Sequence, residues 1–208
     1  MSQTLTFYTN PMSRGRIVRW LLEELGIEYT TQVLDYATTM KDPAYLAINP
    51  MGKVPAIKHG DIVVTETAAI CAYLADAFPE AQLAPINNAE RAAYYRWLFF
   101  AAGPVEQAIG LKMIGTEITP ELKKSLGCGN LQDTFNALID AISKTQYVAG
   151  DRFTAADVYI GKHIEFGIKF GMLDPHPAFA SYLERVANRP AKLRADAIDD
   201  KLLQKIHK

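Results

Sequence analysis

Cysteine is scarce in this 208-residue chain: Cys71 and Cys128 are the whole supply. Without paired spacing or a Cys-x-x-Cys, the chain offers no disulfide framework and no thiolate zinc site, and a reducing compartment is implied. Histidine is also sparse. His59, His163, His176 and His207 are scattered without metal-ligand spacing, so no metal is expected. Excess charge is missing too. Twenty-two basic and 23 acidic residues leave a formal net charge of −1, which argues against a nucleic-acid partner or a polybasic membrane surface. An anionic small molecule remains possible, since it needs only a local pair of cations. No apolar run approaches the ~20 residues that span a bilayer. The opening MSQTLTFY lacks the basic and apolar parts of a signal peptide. These absences predict a soluble, cytoplasmic protein with no membrane or nucleic-acid role.

What is present begins with alternating element types. TLTFY reads as a strand, with Leu5 and Phe7 on one face and Thr6 and Tyr8 on the other. A helix is expected from near Ser13, with Ile17, Val18, Leu21, Leu22 and Leu25 as its apolar stripe and Gly26 as its stop. EYTTQVLD reads as a second strand, so strand, helix and strand imply a right-handed parallel crossover. A weak helical stretch lies near KDPAYLAI. PAIKH and IVVTE flank Gly60-Asp61, the signature of a tight hairpin, and TAAICAYLADAF closes the unit as a helix before Pro79. This βαβ-ββα order is the thioredoxin-like arrangement.

From 80 to 88 the chain is polar and proline-bearing, a linker by composition, and everything beyond it reads as helical. The run AERAAYYRWLFFAA is expected to bend or end at Gly103-Pro104. Thr119-Pro120 pairs an N-cap with proline at the first helical position, and Thr154 to Asp157 resembles a capping box. Short helices are expected near 178–188 and 199–206. The expected division is an α/β domain at 1–79, a linker at 80–88 and an all-α domain at 89–208.

Four segments carry chemistry: FYTNPMSRGR, NPMGKVPAI, TETAAICAYLAD and VAGDRFTAADVYI. Their order and spacing resemble the cytosolic glutathione transferases over essentially the whole chain, and the active-site loop resembles the bacterial, serine-type, theta-like members. The resemblance implies a thioredoxin-like glutathione-binding domain followed by an all-helical one. It implies that Pro55 is cis and that the Val54 backbone pairs with the cysteinyl part of glutathione, a form of strand addition. Glu66 and Thr67 would read the γ-glutamyl end, the carboxylate of Glu66 facing the ammonium and the start of the helix facing the α-carboxylate. Lys53, with Lys41 as a second candidate, would approach the glycine carboxylate. Each residue has a local reading as well: Thr67 and Glu66 suit a helix start, and Lys53 suits a solvated loop.

The thiolate, not the thiol, is the nucleophile, and a free thiol titrates near about 8.5. Lowering that by two units takes roughly 2.7 kcal/mol of preferential stabilisation, the size of one charge-assisted hydrogen bond plus a nearby helix N-terminus. Ser13 and Tyr8 are the candidate donors, with Asn10 or a backbone amide as further alternatives. Ser13 also reads as an N-cap, and Tyr8 as a packed strand aromatic. No cysteine lies in this loop, so mixed-disulfide chemistry is not expected.

The resemblance implies a transferase that joins glutathione, as co-substrate, to small apolar electrophiles. Trp97, Phe100, Met113, Tyr94 and Met12 are candidate walls of the electrophile's pocket, although such a stripe is more often core than pocket. A homodimer is implied, with Met51, Tyr73, Arg91 and Tyr95 as interface candidates. Two alternatives stand beside this reading: a non-catalytic dimerisation or protein-binding module, and peroxidase, isomerase or dehalogenase chemistry on the same scaffold.

Overall fold

The computed structural model describes residues 4–206; the first three residues of the opening stretch and His207 lie outside it. Alternation makes β1, Leu5–Thr9, with Leu5, Phe7 and Thr9 buried and Thr6 and Tyr8 half-buried. Helix α1, Gly15–Leu25, buries Ile17, Val18, Leu21 and Leu22. Gly26 ends it at φ 64, its N–H returning to the Leu22 carbonyl at 3.1 Å, a left-handed cap that favours glycine. Next come β2, Thr30–Val33, and the one-turn α2, Pro43–Leu46. β3, Ala56–His59, and β4, Ile62–Thr65, form the hairpin around Gly60, and α3, Thr67–Ala77, follows.

The four strands form one sheet in the order β2-β1-β3-β4, with β1 and β2 parallel and the other neighbours antiparallel. Register places Gln32, Tyr8, Ala56 and Thr65 in a single row across the sheet. The row lies near the C-terminal ends of β1, β2 and β4 and at the N-terminal end of β3. Everything that leaves or enters the sheet there is brought to one edge.

The chain divides into two compact units. One comprises the residues up to Gln82 together with those from Arg189 onward, and the other runs Leu83–Asn188. The division falls inside the segment read as a linker. The last helix, however, joins the α/β unit rather than the helical one.

In the second unit, α4, Asn88–Phe100, is capped by the Asn87 side chain, which accepts from the Glu90 amide. It does not end at Gly103-Pro104. A π-helical turn over Ala101–Val105 carries it into α5, Glu106–Met113, because a wider turn accommodates a proline that lacks an N–H. Helices α6, Pro120–Ser125, and α7, Leu131–Lys144, start at Thr119 and Asn130, each side chain accepting a helix amide. Then follow α8, Ala155–Lys169, and α9, Pro177–Ala187.

The capping box at α8 is built as its spacing suggests. The buried Asp157 carboxylate accepts the Thr154 amide and hydroxyl, and also the Val148 amide and the Tyr182 phenol. Burial pushes this carboxyl up, and those four hydrogen bonds pull it back.

Helix α10, Pro190–Ile206, is longer than the 199–206 expected. Its buried face includes Lys192 and Asp199 beside Ala191 and Ala195. A helix that buries charge shows little apolar periodicity, which explains the short reading.

Candidate active site

The sheet edge gathers four loops. The first leaves β1 at Asn10, whose side chain is buried. Its Nδ2 donates to the Leu34 carbonyl at 2.8 Å and its Oδ1 accepts the Met12 amide at 2.9 Å. The Asn10 carbonyl accepts both the Ser13 amide at 3.0 Å and the Ser13 hydroxyl at 2.7 Å. Ser13 Oγ accepts the Gly15 amide at 2.9 Å, so it supports the start of α1 from two residues away. Gly15 is required by close approach: a Cβ there would lie 2.0 Å from Thr9 Oγ1.

The second loop follows β2. Asp35 organises it by accepting the Ala37 and Thr38 amides, while the Asp35 amide donates to Thr39 Oγ1. This presents Tyr36 with its phenol in hydrogen-bonding reach of Ser13 and near the Arg14 charge. Burial raises that phenol's pKa, and Arg14 and Ser13 oppose the rise.

The third loop precedes β3. Asn49 repeats the Asn10 device: it is buried, Oδ1 accepts the Met51 amide at 3.1 Å, and Nδ2 donates to the Lys53 carbonyl at 2.8 Å. The Tyr45 phenol donates to that same carbonyl at 2.6 Å. Burial pushes the phenol up to about 12, with Asn49 working against it. Lys41 Nζ donates to the Gly52 carbonyl at 3.0 Å. Gly52 adopts φ 57, and a Cβ there would meet the Met40 carbonyl at 2.7 Å. The Val54–Pro55 bond is cis, as the resemblance implies. Among the described residues, neither the N–H nor the C=O of Val54 has a hydrogen-bond partner.

The fourth loop is the junction of β4 and α3. Glu66 is exposed and sits at φ 67, ψ 120, one of two non-glycine residues with positive φ among those described. Such backbone is sparsely populated for a residue with a Cβ and clusters at ligand sites. Thr67 is buried and opens α3, and no side chain caps that helix. Its first amides therefore lack intrahelical partners and face outward with the helix's partial positive charge.

Ser13, Lys53, Val54, Pro55, Glu66 and Thr67 thus come to one sheet edge, with Lys41 tied in through Gly52. Tyr8 is there as well, but its ring packs at 5.5 Å on Tyr45 in a cluster with Met40, Ala56, Leu34, Ile48 and Val54. Of the apolar residues read as pocket walls, Trp97 and Tyr94 are buried within the helical unit, whereas Met12 and Met113 are exposed. Cys71 is buried and pushed up to about 12 by burial, far from any reactive thiolate.

Sequence reasoning missed Tyr36, Tyr45 and Asn49. A signal existed for Asn49. Asn-Pro-Met occurs twice, at 10–12 and at 49–51, and asparagine before proline commonly bonds its own backbone two residues on.

A thioredoxin-like unit thus carries an unpaired main-chain edge, an uncapped helix start and a loop hydroxyl at one end of its sheet. Residues 12–77 match the family described as glutathione S-transferase, N-terminal domain. The glutathione S-transferase GstA of Escherichia coli O157:H7 is 30% identical over 175 residues, covering 81% of this chain and 86% of the relative. A glutathione S-transferase structure from Xylella fastidiosa superposes with a TM-score of 0.78 at 25% identity, covering 94% of this chain and 98% of that one. A sphingomonad glutathione S-transferase solved with glutathione gives 0.75, also at 25% identity, covering 94% and 99%. This chain belongs to the glutathione S-transferase family and is a transferase.

Among the described residues no group of three or more His, Cys, Asp and Glu side chains could hold a metal ion, and no helix is long and apolar enough to cross a membrane.

Proposed function

We propose that this transferase binds glutathione along the main chain of Val54 and joins its sulfur to a small apolar electrophile. The observation that carries the reading is the free N–H and C=O of Val54 beside the uncapped N-terminus of α3. An extended tripeptide supplies the complementary pair of backbone groups. Its γ-glutamyl carboxylate suits the amides and hydroxyl at Thr67, and its ammonium suits Glu66. Its glycine carboxylate suits Lys53, with Lys41 adding positive charge from its place on the Gly52 carbonyl.

Ser13 is the hydrogen-bond donor to the sulfur. Its hydroxyl turns from the Asn10 carbonyl toward the thiolate, and the thiol proton passes to water. The thiolate then attacks the electrophilic carbon, a C–S bond forms, and the leaving group departs with the bonding pair. Ser13 keeps its proton throughout. Tyr8 is the weaker candidate because its ring belongs to the apolar cluster around Tyr45.

The bound thiolate's ultraviolet absorbance tests this directly. Wild type should bind glutathione at millimolar ligand with a lowered thiol pKa. Ser13→Ala should raise that pKa by about one to two units, one charge-assisted hydrogen bond's worth, and Tyr8→Phe should leave it in place. The opposite pattern moves the donor to Tyr8, and no binding at all removes the reading. The same reading makes the protein a cytoplasmic homodimer, with Met51, Tyr73, Arg91 and Tyr95 as interface candidates; sedimentation at micromolar concentration checks the assembly.

A further inference from the structure

The last helix reaches the loop that carries Ser13. Along α1, Arg16, Arg19, Glu23 and Glu24 meet Asp200, Asp199 and Arg194 of α10 and Arg189 just before it. The numbers ascend on one helix and descend on the other, so the two run antiparallel. Among the described residues, three of these pairs make no contact with the loop that carries Ser13. The fourth also grips the site loop: Arg16 Nη2 donates to Asp200 Oδ1 at 2.7 Å while its Nε donates to the Pro11 carbonyl at 2.6 Å. One guanidinium therefore ties an aspartate on α10 to main chain two residues before Ser13. The Arg16 amide also donates to the Ser13 carbonyl at 3.3 Å.

We propose that Asp200 is a positioning residue of the transferase site. It orients the Arg16 guanidinium, and through it the C-terminal helix sets the place of the Pro11–Ser13 loop. The proposal rests on the reading of Ser13 as the donor to the glutathione sulfur.

The geometry separates this role from holding the helix. Asp199 and Arg19 are both 1% exposed and anchor α10, whereas the Asp200 side chain is 61% exposed and that of Arg16 12%. An exposed ion pair adds little to global stability. What Asp200 supplies is direction. A guanidinium has a rigid, planar set of donors, so fixing one nitrogen fixes the line of another. Without Asp200, Arg16 regains other rotamers, and the Pro11 carbonyl loses its donor for part of the time. A lysine at 16 has one nitrogen and cannot make both contacts in that fixed relation.

The test compares wild type with Asp200→Ala, Arg16→Lys, Arg16→Ala and the Arg16→Ala/Asp200→Ala double variant. Asp140→Ala, which removes the surface pair with Lys144 in the helical unit, is the control for loss of one carboxylate. Three readouts are needed: amide NMR shifts of Met12, Ser13 and Gly15 without glutathione, the bound thiol's pKa, and kcat/KM with 1-chloro-2,4-dinitrobenzene. Asp200→Ala should shift those amides, raise the thiol pKa and lower kcat/KM about two- to fivefold, the range an exposed but geometrically fixed ion pair supports. Its melting temperature should stay near wild type, and Arg16→Lys should behave likewise. The double variant should be no worse than Arg16→Ala, since both changes remove one coupled device. Unshifted amides in Asp200→Ala would overturn the proposal alone. Shifted amides with an unchanged thiol pKa and rate would overturn it together with the role given to Ser13. Unfolding of Asp200→Ala at ordinary temperature would also overturn it, because the residue would then be an anchor of the fold.

Discussion

A hydroxyl has one proton, and Ser13 spends its proton on the Asn10 carbonyl at 2.7 Å. Turning it to a thiolate exchanges a neutral hydrogen bond for a charge-assisted one about twice as strong, so the exchange favours the anion. The Ser13 oxygen has two lone pairs, and the Gly15 amide takes one. The Tyr36 phenol lies near Ser13, and Ser13 opposes the rise of its pKa, the effect of a serine proton available to the phenolic oxygen. Such a phenol competes with sulfur for the serine proton. Tyr36→Phe should therefore lower the bound thiol's pKa by up to about one unit, one net hydrogen bond's worth, whereas Ser13→Ala raises it. The absorbance titration checks this, and an unchanged thiol pKa in Tyr36→Phe would remove Tyr36 from the site. Ser13, Val54, Glu66 and Thr67 were named as candidates because the segments that hold them resemble a family in order and spacing, while each residue alone also suits a helix start or a loop. Tyr36, Tyr45 and Asn49 were not, because their parts depend on which loops meet at the sheet edge.

Among elements, α1 and α10 show the limit of periodicity. Arg19 is buried yet well supplied: its guanidinium donates to Asp199 at 2.8 Å and to Tyr29 and Thr31 at 3.1 Å, and it lies 5.1 Å from the centre of the Phe7 ring. Removing one side of such a buried pair strands the other charge. Asp199→Ala should cost about 3–5 kcal/mol, while Arg19→Met combined with Asp199→Leu should cost far less, since an apolar pair avoids desolvation altogether. Urea unfolding distinguishes the two, and equal losses would refute the argument. Strand β1 was readable from alternation, and β3 and β4 from the Gly60-Asp61 turn between them. The π turn at 101–105 was not, because Gly-Pro signals a break locally while the surrounding helical packing carries the chain through it.

At the scale of the whole molecule, buried phenols bear on alkaline stability, Tyr29 and Tyr45 among them. Burial, with the Glu23 hydrogen bond adding to it, pushes Tyr29 up to about 12, and burial pushes Tyr45 to the same value. Both folded values lie above the unfolded value near 10. The native state therefore holds its phenolic protons more tightly than the unfolded chain does. This contribution is complete below about pH 10 and is lost as pH rises from there through about 12. Melting temperatures should be flat on this account from pH 8 to 9.5 and fall beyond pH 10. Tyr29→Phe combined with Tyr45→Phe should make that fall less steep, Tyr182 and Cys71 keeping their own shares of it, and an identical alkaline profile in the double variant would refute it.

Strand alternation, the Gly26 stop, the Asn and Thr helix caps and the Val-Pro and Glu-Thr patterns are consequences of neighbouring residues, so one chain read in order reveals them. That the last helix belongs to the α/β unit, that Arg16 spans from Asp200 to Pro11, and that the Tyr36 phenol comes near Ser13 are consequences of residues far apart in sequence becoming neighbours. Charged and hydroxyl groups carry no periodic signature of such partners. Their pairing is settled only when packing removes water and leaves each polar group a single place to find its hydrogen bond.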